Sequence, residues 1–383
     1  MPNRGSGSST IDEFWSTVAE LALNGPQPTR SRWHRKGMTQ RGERIFNVAS
    51  SVVIMLIAAG WAWSISIARS EGNSSLTRGT RMISRALTDA RAPSVSFLTD
   101  AALEFVSPLR GESGRLRASI QGRGEAVAEH ALPSGTTATF SSGAAAESTK
   151  VLAAPSRTGI WSMAIALGTA IKPITDFSVI TLMPATEKRR GRIGLYYIGN
   201  WPTRGGRVSE KYAAPSGFIE VTRETQNTQL SDHFRLRDFL PHDQQNVWPK
   251  YVVVDMKMVD KLELVLTDLA SRGIPSRGVR VMSGFRTPQY NSGQGDTGGR
   301  ASLSRHMYGD GSDIFIDNDG NGNMDDLNRD GRVNIGDARV ILAAVNRVEA
   351  AHPSLIGGCG VYSGTSAHGP FTHIDTRGHP ARW

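Results

Sequence analysis

The sequence predicts a multidomain chain: an N-terminal transmembrane helix, a β-rich middle module and a C-terminal α+β domain. Three observations carry this. Ile45 to Ala68 holds no charged side chain. Short apolar runs separated by Gly, Pro and polar turns dominate residues 138–202. From about Ser231 onward, helical and alternating patterns follow one another to the C-terminus.

The chain has 383 residues, enough for two or three domains at roughly 150 residues each. Hydrophobic residues make up 39% and charged residues 21%, which excludes wholesale disorder. The net charge of +9 fits an anionic surface or polymer. It lacks the aromatic–basic pattern used to bind single-stranded nucleic acid, so no nucleic-acid partner is expected. The lone cysteine, Cys359, excludes an internal disulfide and a Cys-rich zinc finger. Any metal must therefore be held by His, Asp, Glu or Asn.

Residues 1–44 read as a basic cytoplasmic tail. About 20 apolar residues cross a bilayer, so residues 45–68 are expected to be a transmembrane signal anchor in the cytoplasmic membrane. Arg30, Arg32, Arg35, Lys36, Arg41 and Arg44 precede it and place the N-terminus inside. The expected location is single-pass, with the C-terminal domain facing periplasm or cell wall. Cleavage after Ser66-Ile67-Ala68 would make the chain secreted instead.

Residues 69–137 are expected to form a stalk or linker. The β-rich module spans 138–225, with strand runs ATF, GIWSMAIAL, FSVITLM and RIGLYYIGNW. The last domain spans 226–383. Met258, Val259, Leu262, Val265, Leu266 and Leu269 mark an amphipathic helix that ends at Gly273. VRVMS (279–283) is a short strand. DIFID (313–317) alternates, with Ile314 and Ile316 on one face and Asp313, Phe315 and Asp317 on the other. A second amphipathic helix covers 337–351, and CGVYS and FTHID are closing strands.

Chemistry concentrates in this domain. His306 and Asp313 are separated by a Gly-rich turn, and glycines permit a tight return into a strand. His373 on a neighbouring strand would complete a set of two histidines and a carboxylate. That set suffices for catalytic zinc, which takes three protein ligands and leaves one position for water. Such an ion polarises a carbonyl and lowers the pKa of water toward ~7.

Four segments occur in order: DHFRLRDFL (232–240), SGFRTPQYN (283–291), SRHMYGDGSDI (304–314) and GVYSGTSAHGPFTHIDTRGHPARW (360–383). Together they resemble the zinc D-Ala-D-Ala metallopeptidase superfamily. That group includes vancomycin-resistance dipeptidases, D,D-carboxypeptidases, murein endopeptidases and phage endolysins, and shares its fold with the hedgehog signalling domain. The resemblance covers roughly residues 231–383. It implies Zn²⁺ held by His306, Asp313 and His373, with Arg286 facing the substrate. A guanidinium there binds a carboxylate or a developing oxyanion. It also implies peptidoglycan stem peptides as substrate. Many members place a Glu three residues before the last ligand, or a His two before it. Pro370 and Phe371 stand at those positions here, so Asp375, His368 and Asp310 are the nearby alternatives. Asp375 shares a strand face with His373 and either acts on the site or orients the ligand. The alternative is a non-catalytic module, stabilised by zinc and calcium, that binds the envelope.

Residues 317–337 form an acidic insertion. Asp326, Asn328, Asp330, Gly331, Asn334 and Asp337 fall at positions 1, 3, 5, 6, 9 and 12 of a calcium loop, with the backbone carbonyl of Arg332 at position 7. Asp at position 12 resembles dockerin-type loops. An overlapping set, Asp317, Asp319, Asn321, Gly322, Asp325 and Asn328, repeats the pattern. Ca²⁺ is therefore the second expected cofactor.

Overall fold

Alternation along each strand decides which face is buried, and the sheets follow from that. A computed structural model describes residues 95–128, 132, 135–143, 145–149, 152–202, 212–293 and 300–383. Helix α1 (Val95–Val106) comes first. Its buried Leu98, Ala102, Phe105 and Val106 recur at helical spacing and form one apolar face.

That face packs on a five-stranded sheet of β1 (Ala118–Gln121), β2 (Thr137–Ser142), β3 (Ala145–Thr149), β4 (Gly159–Leu167) and β5 (Ala170–Thr181), in the order β1-β5-β4-β2-β3. Phe140, Trp161, Met163, Ile165 and Val179 fill its core. Residues 118–121, which the sequence assigns to a stalk or linker, pair in parallel with β5, bringing Ile120 opposite Ile180. Two small elements follow: β6 (Met183–Pro184) and the hairpin of β7 (Arg192–Ile193) and β8 (Tyr196–Tyr197). β9 (Gly217–Val221) pairs with both β6 and β10 (Lys250–Val252).

The remaining elements build the sheet that matters for chemistry. They are helix α2 (Met256–Ser271), β11 (Val279–Ser283), the short α3 (Pro288–Asn291), β12 (Gly311–Ile316), helix α4 (Ile335–Ala351), β13 (Gly358–Tyr362), β14 (Phe371–Asp375) and β15 (Ala381–Arg382). The five strands lie in the order β11-β12-β14-β13-β15. Asp255 caps α2 by accepting a hydrogen bond from the Lys257 N–H at 2.9 Å. Helices α2 and α4 pack on each other and on β14. Their Met258, Leu262, Leu266, Ile341 and Val345 join Ile314, Ile316 and Ile374 in one core. Asp313, Phe315, Tyr362 and His373 occupy the opposite sheet face.

A buried ion pair ties these layers together. Lys261 Nζ on α2 donates to Glu349 Oε1 on α4 at 2.6 Å and to the Asp375 carbonyl at the end of β14 at 2.7 Å.

Two expectations are corrected. The architecture is mixed α/β with several small sheets, rather than a succession of transmembrane helix, β-rich module and α+β domain. Among the described residues no helix is long and apolar enough to cross a membrane, and the expected anchor at 45–68 lies outside them. The physical reason is plain in the longest of these helices. The 17 residues of α4 reach only about 26 Å, short of a hydrocarbon core of about 30 Å, and include Asp337, Arg339, Arg347 and Glu349. The single-pass placement in the cytoplasmic membrane is corrected with it.

Candidate metal centre

The pairing of β12 with β14 is antiparallel and sets Asp313 directly opposite His373. Paired residues project to the same face, so their side chains meet. His306 arrives from a 3₁₀ turn, Arg305–Tyr308, that Gly309 ends in the left-handed conformation at φ 75°. Gly309 packs so close to the Val253 carbonyl that a Cβ would lie 2.5 Å from its oxygen. Glycine is required there on both counts.

Three atoms converge. His373 Nδ1 lies 2.8 Å from Asp313 Oδ1, His306 Nε2 lies 3.2 Å from the same oxygen, and the two imidazole nitrogens are 3.2 Å apart. Ligand atoms about 2.0–2.1 Å from one ion at tetrahedral angles stand about 3.3 Å from each other. The group is buried and could hold a metal ion.

Each imidazole has its second nitrogen fixed. His306 Nδ1 lies 2.7 Å from the Gly284 carbonyl, so it is the donating nitrogen and Nε2 is left for a ligand bond. His373 Nε2 lies 3.1 Å from Asp375 Oδ2, which leaves its Nδ1 facing the centre. Metal-ligating histidines are held in this way. Asp375 is fully buried and also accepts from the backbone N–H groups of Gly358 and Arg377 at 2.7 and 3.0 Å.

Electrostatics favour a cation. Burial lowers the pKa of His306 and keeps it neutral. Burial opposes ionisation of Asp313, but the two histidines outweigh it and hold the carboxyl far below the usual carboxylate range. Burial also pulls His373 down, yet hydrogen bonds to Asp313 and Asp375 prevail and push it up to about 9. Without a metal, a proton on His373 balances the buried carboxylates.

Arg286 borders the centre. Its Nη2 donates to Asp313 Oδ2 at 2.6 Å and its Nε to Ser283 Oγ at 2.8 Å. His368 is not brought to the triad by any of its hydrogen bonds or ring contacts: its Nδ1 is 2.8 Å from the Gly369 carbonyl and its ring meets Phe371 edge-on. Asp310 is occupied by Arg305. Sequence reasoning missed the Gly284 carbonyl and the Ser283 hydroxyl as supports, although both lie within the SGFRTP run. It also missed the Trp383 ring, 5.5 Å from that of His373.

The acidic insertion behaves unevenly. Asp317, Asp319 and Asp325 gather their carboxylates within 4.8 Å, and Asn321 sits among them with its amide 2.8 Å from Asp319 Oδ2. Asp326, Asp330 and Asp337 form no such group among the described residues. Asp326 and Asn328 accept from the Asp330 N–H, and Asp330 accepts from that of Arg332. Asp337 is fully buried, accepts from Leu327, Asn328 and Asn334, and forms a capping box with Asn334 at the start of α4.

On the same sheet face as Asp313, a cleft of about 680 Å³ is lined by Met282, Phe315, Asn321, Asn323, His368 and Pro370, among others. Comparison with protein-family models, curated proteins and solved structures finds no match.

Proposed function

We propose that the chain is a zinc metallopeptidase that hydrolyses D-amino-acid-containing bonds of peptidoglycan stem peptides, as a carboxypeptidase or an endopeptidase. The observation that carries this is the convergence of the buried His306, Asp313 and His373 beside the half-buried Arg286, on the sheet face opposite the helices. Two imidazole nitrogens and one carboxylate oxygen are a donor set that suits zinc and leaves it a further position. The resemblance of four ordered sequence segments to the zinc D-Ala-D-Ala peptidases supplies the substrate class.

Zinc contributes Lewis acidity to such a reaction. The protein's own groups do the rest. Gly284 and Asp375 fix the two imidazoles so that neither reorients during turnover. Arg286 holds Asp313 through one oxygen and has the remaining guanidinium N–H groups to bind a substrate carboxylate or stabilise an oxyanion. The cleft lined by Met282 and Phe315 would receive the apolar part of a stem peptide. Asp375, buried and held by Gly358 and Arg377, acts as a positioning residue for His373.

Pro370 and Phe371, where many of the peptidases that the chain resembles place an acid–base group, favour a second reading. In it the domain is a non-catalytic, metal-stabilised module that binds peptidoglycan. The test is to incubate the zinc-loaded chain with crosslinked and uncrosslinked peptidoglycan fragments and read the products by mass spectrometry. Cleavage that disappears in His306→Ala supports the peptidase. Retention of fragments without cleavage supports the module.

A further inference from the structure

We infer that the loop from Asp317 to Asp325 is a calcium site, and that its ion braces one wall of the cleft next to the His–Asp–His centre. Two independent observations point to a ligand. The first is the gathering of the Asp317, Asp319 and Asp325 carboxylates within 4.8 Å. The second is Asp317 itself. Its side chain is only 3% exposed, and its Oδ1 is buried with no hydrogen-bond partner. A buried carboxylate oxygen is normally paired, because leaving it bare forfeits its hydration. The other oxygen, Oδ2, accepts from the Gly322 N–H at 3.2 Å and has the largely exposed Arg280 guanidinium 3.6 Å away. Neither contact satisfies Oδ1.

The donors are all oxygens, which selects a hard cation over zinc. Calcium accepts six to eight oxygens in irregular geometry, whereas magnesium demands a near-ideal octahedron. Gly322 at φ 86° supplies the sharp turn that such loops need at their sixth position. The loop starting at Asp326 shares the sequence pattern, but its Asp337 is spent on capping α4.

The location gives the ion a task. Asp317 follows β12 directly, four residues beyond Asp313, and its N–H donates to the Gly278 carbonyl at 2.9 Å. Asn321, Gly322, Asn323 and Met324 line the cleft. Asn323 packs against Gly369, with its Oδ1 2.9 Å from where a Cβ would stand. Gly369 lies four residues before His373. Closing the acidic loop on calcium therefore fixes the cleft wall formed by the loop after the Asp313 strand and the loop before the His373 strand.

The experiment uses the full chain, freed of calcium with its other metal retained, in calorimetric titration and thermal unfolding against CaCl₂. One calcium per chain is expected, half-saturating near 10⁻⁴–10⁻³ M, the weak end of the calcium-loop range, because Asn stands at positions 5 and 12 where stronger loops place carboxylates. At ten times that concentration Tm should rise by about 2 °C. Asp317→Asn and the more exposed Asp319→Asn should each abolish both effects, while Asp326→Asn keeps them. The inference is overturned if the wild type binds no calcium, if MgCl₂ gives the same rise, if binding survives in both loop variants, or if only Asp326→Asn removes it. The readout is calcium binding, so failure of the peptidase reading would leave it standing.

Discussion

His373 and Asp375, two residues apart on β14, meet through Nε2 and Oδ2 at 3.1 Å, and this contact turns Nδ1 of His373 toward Asp313. The ligand's orientation is thus set from behind by a carboxylate that never reaches the centre. Replacing such a partner lowers metal affinity by about 10–100-fold. Asp375→Ala should show that loss in competition with a chelating dye. Asp375→Asn, which keeps an acceptor, should recover part of it. An unchanged affinity in the alanine variant would remove Asp375 from the positioning role.

Metal binding should release a proton. His373 is held up to about 9 in the metal-free centre, because its hydrogen bonds to Asp313 and Asp375 outweigh burial, which lowers it. His306 is lowered by burial and carries no proton to release. A metal needs the unprotonated Nδ1 of His373, so proton and metal compete. Apparent affinity should therefore rise with pH until about 9 and level off beyond it. Calorimetry in two buffers of different ionisation enthalpy should find about one proton released per metal near pH 7. Release of none would contradict the protonated state of His373.

Removing Lys261 leaves the buried Glu349 with the Arg382 guanidinium and the Gly357 N–H as its remaining partners. Lys261 is fully buried between α2 and α4, and burial lowers its pKa against the pull of Glu349. Lys261→Met should destabilise the fold by about 1.5–3 kcal/mol in denaturant unfolding, the worth of a hydrogen bond to a charged group, because Glu349 keeps Arg382. It should also loosen the end of β14, since Lys261 holds the Asp375 carbonyl.

Gly309→Ala tests the turn that delivers His306. The substitution forces a side chain into a left-handed residue and against the Val253 carbonyl. Strain of about 1–3 kcal/mol is expected in unfolding experiments, together with weaker metal retention. A variant as stable as the wild type would show that the turn adapts.

Local patterns were legible and long-range pairing was not. The alternation of DIFID exposes which residues face the core, and Ile314 and Ile316 are indeed fully buried. The helix read from Met258 to Leu269 falls within α2. What no local pattern encodes is that Asp313 faces His373, 60 residues later, in register. The parallel pairing of β1 with β5 was hidden for the same reason, and a Gly- and Ser-rich neighbourhood made residues 118–121 look like linker. The sequence favours the loop starting at Asp326 over the overlapping one at Asp317, yet it is Asp317, Asp319 and Asp325 whose carboxylates gather. The loops differ because Asp337 begins a helix and its oxygens satisfy backbone N–H groups there. The membrane helix read from the uncharged run at 45–68 and its basic flank lies outside the described residues, among which no helix is long and apolar enough to cross a membrane.

The most direct measurement is the metal content of the purified chain. Elemental analysis after zinc loading and gel filtration should find one zinc per chain in the wild type and none in His306→Ala or His373→Ala, with circular dichroism unchanged in the variants. Zinc retained in both variants, or no zinc in the folded wild type, would contradict the assignment of His306, Asp313 and His373 as a metal centre.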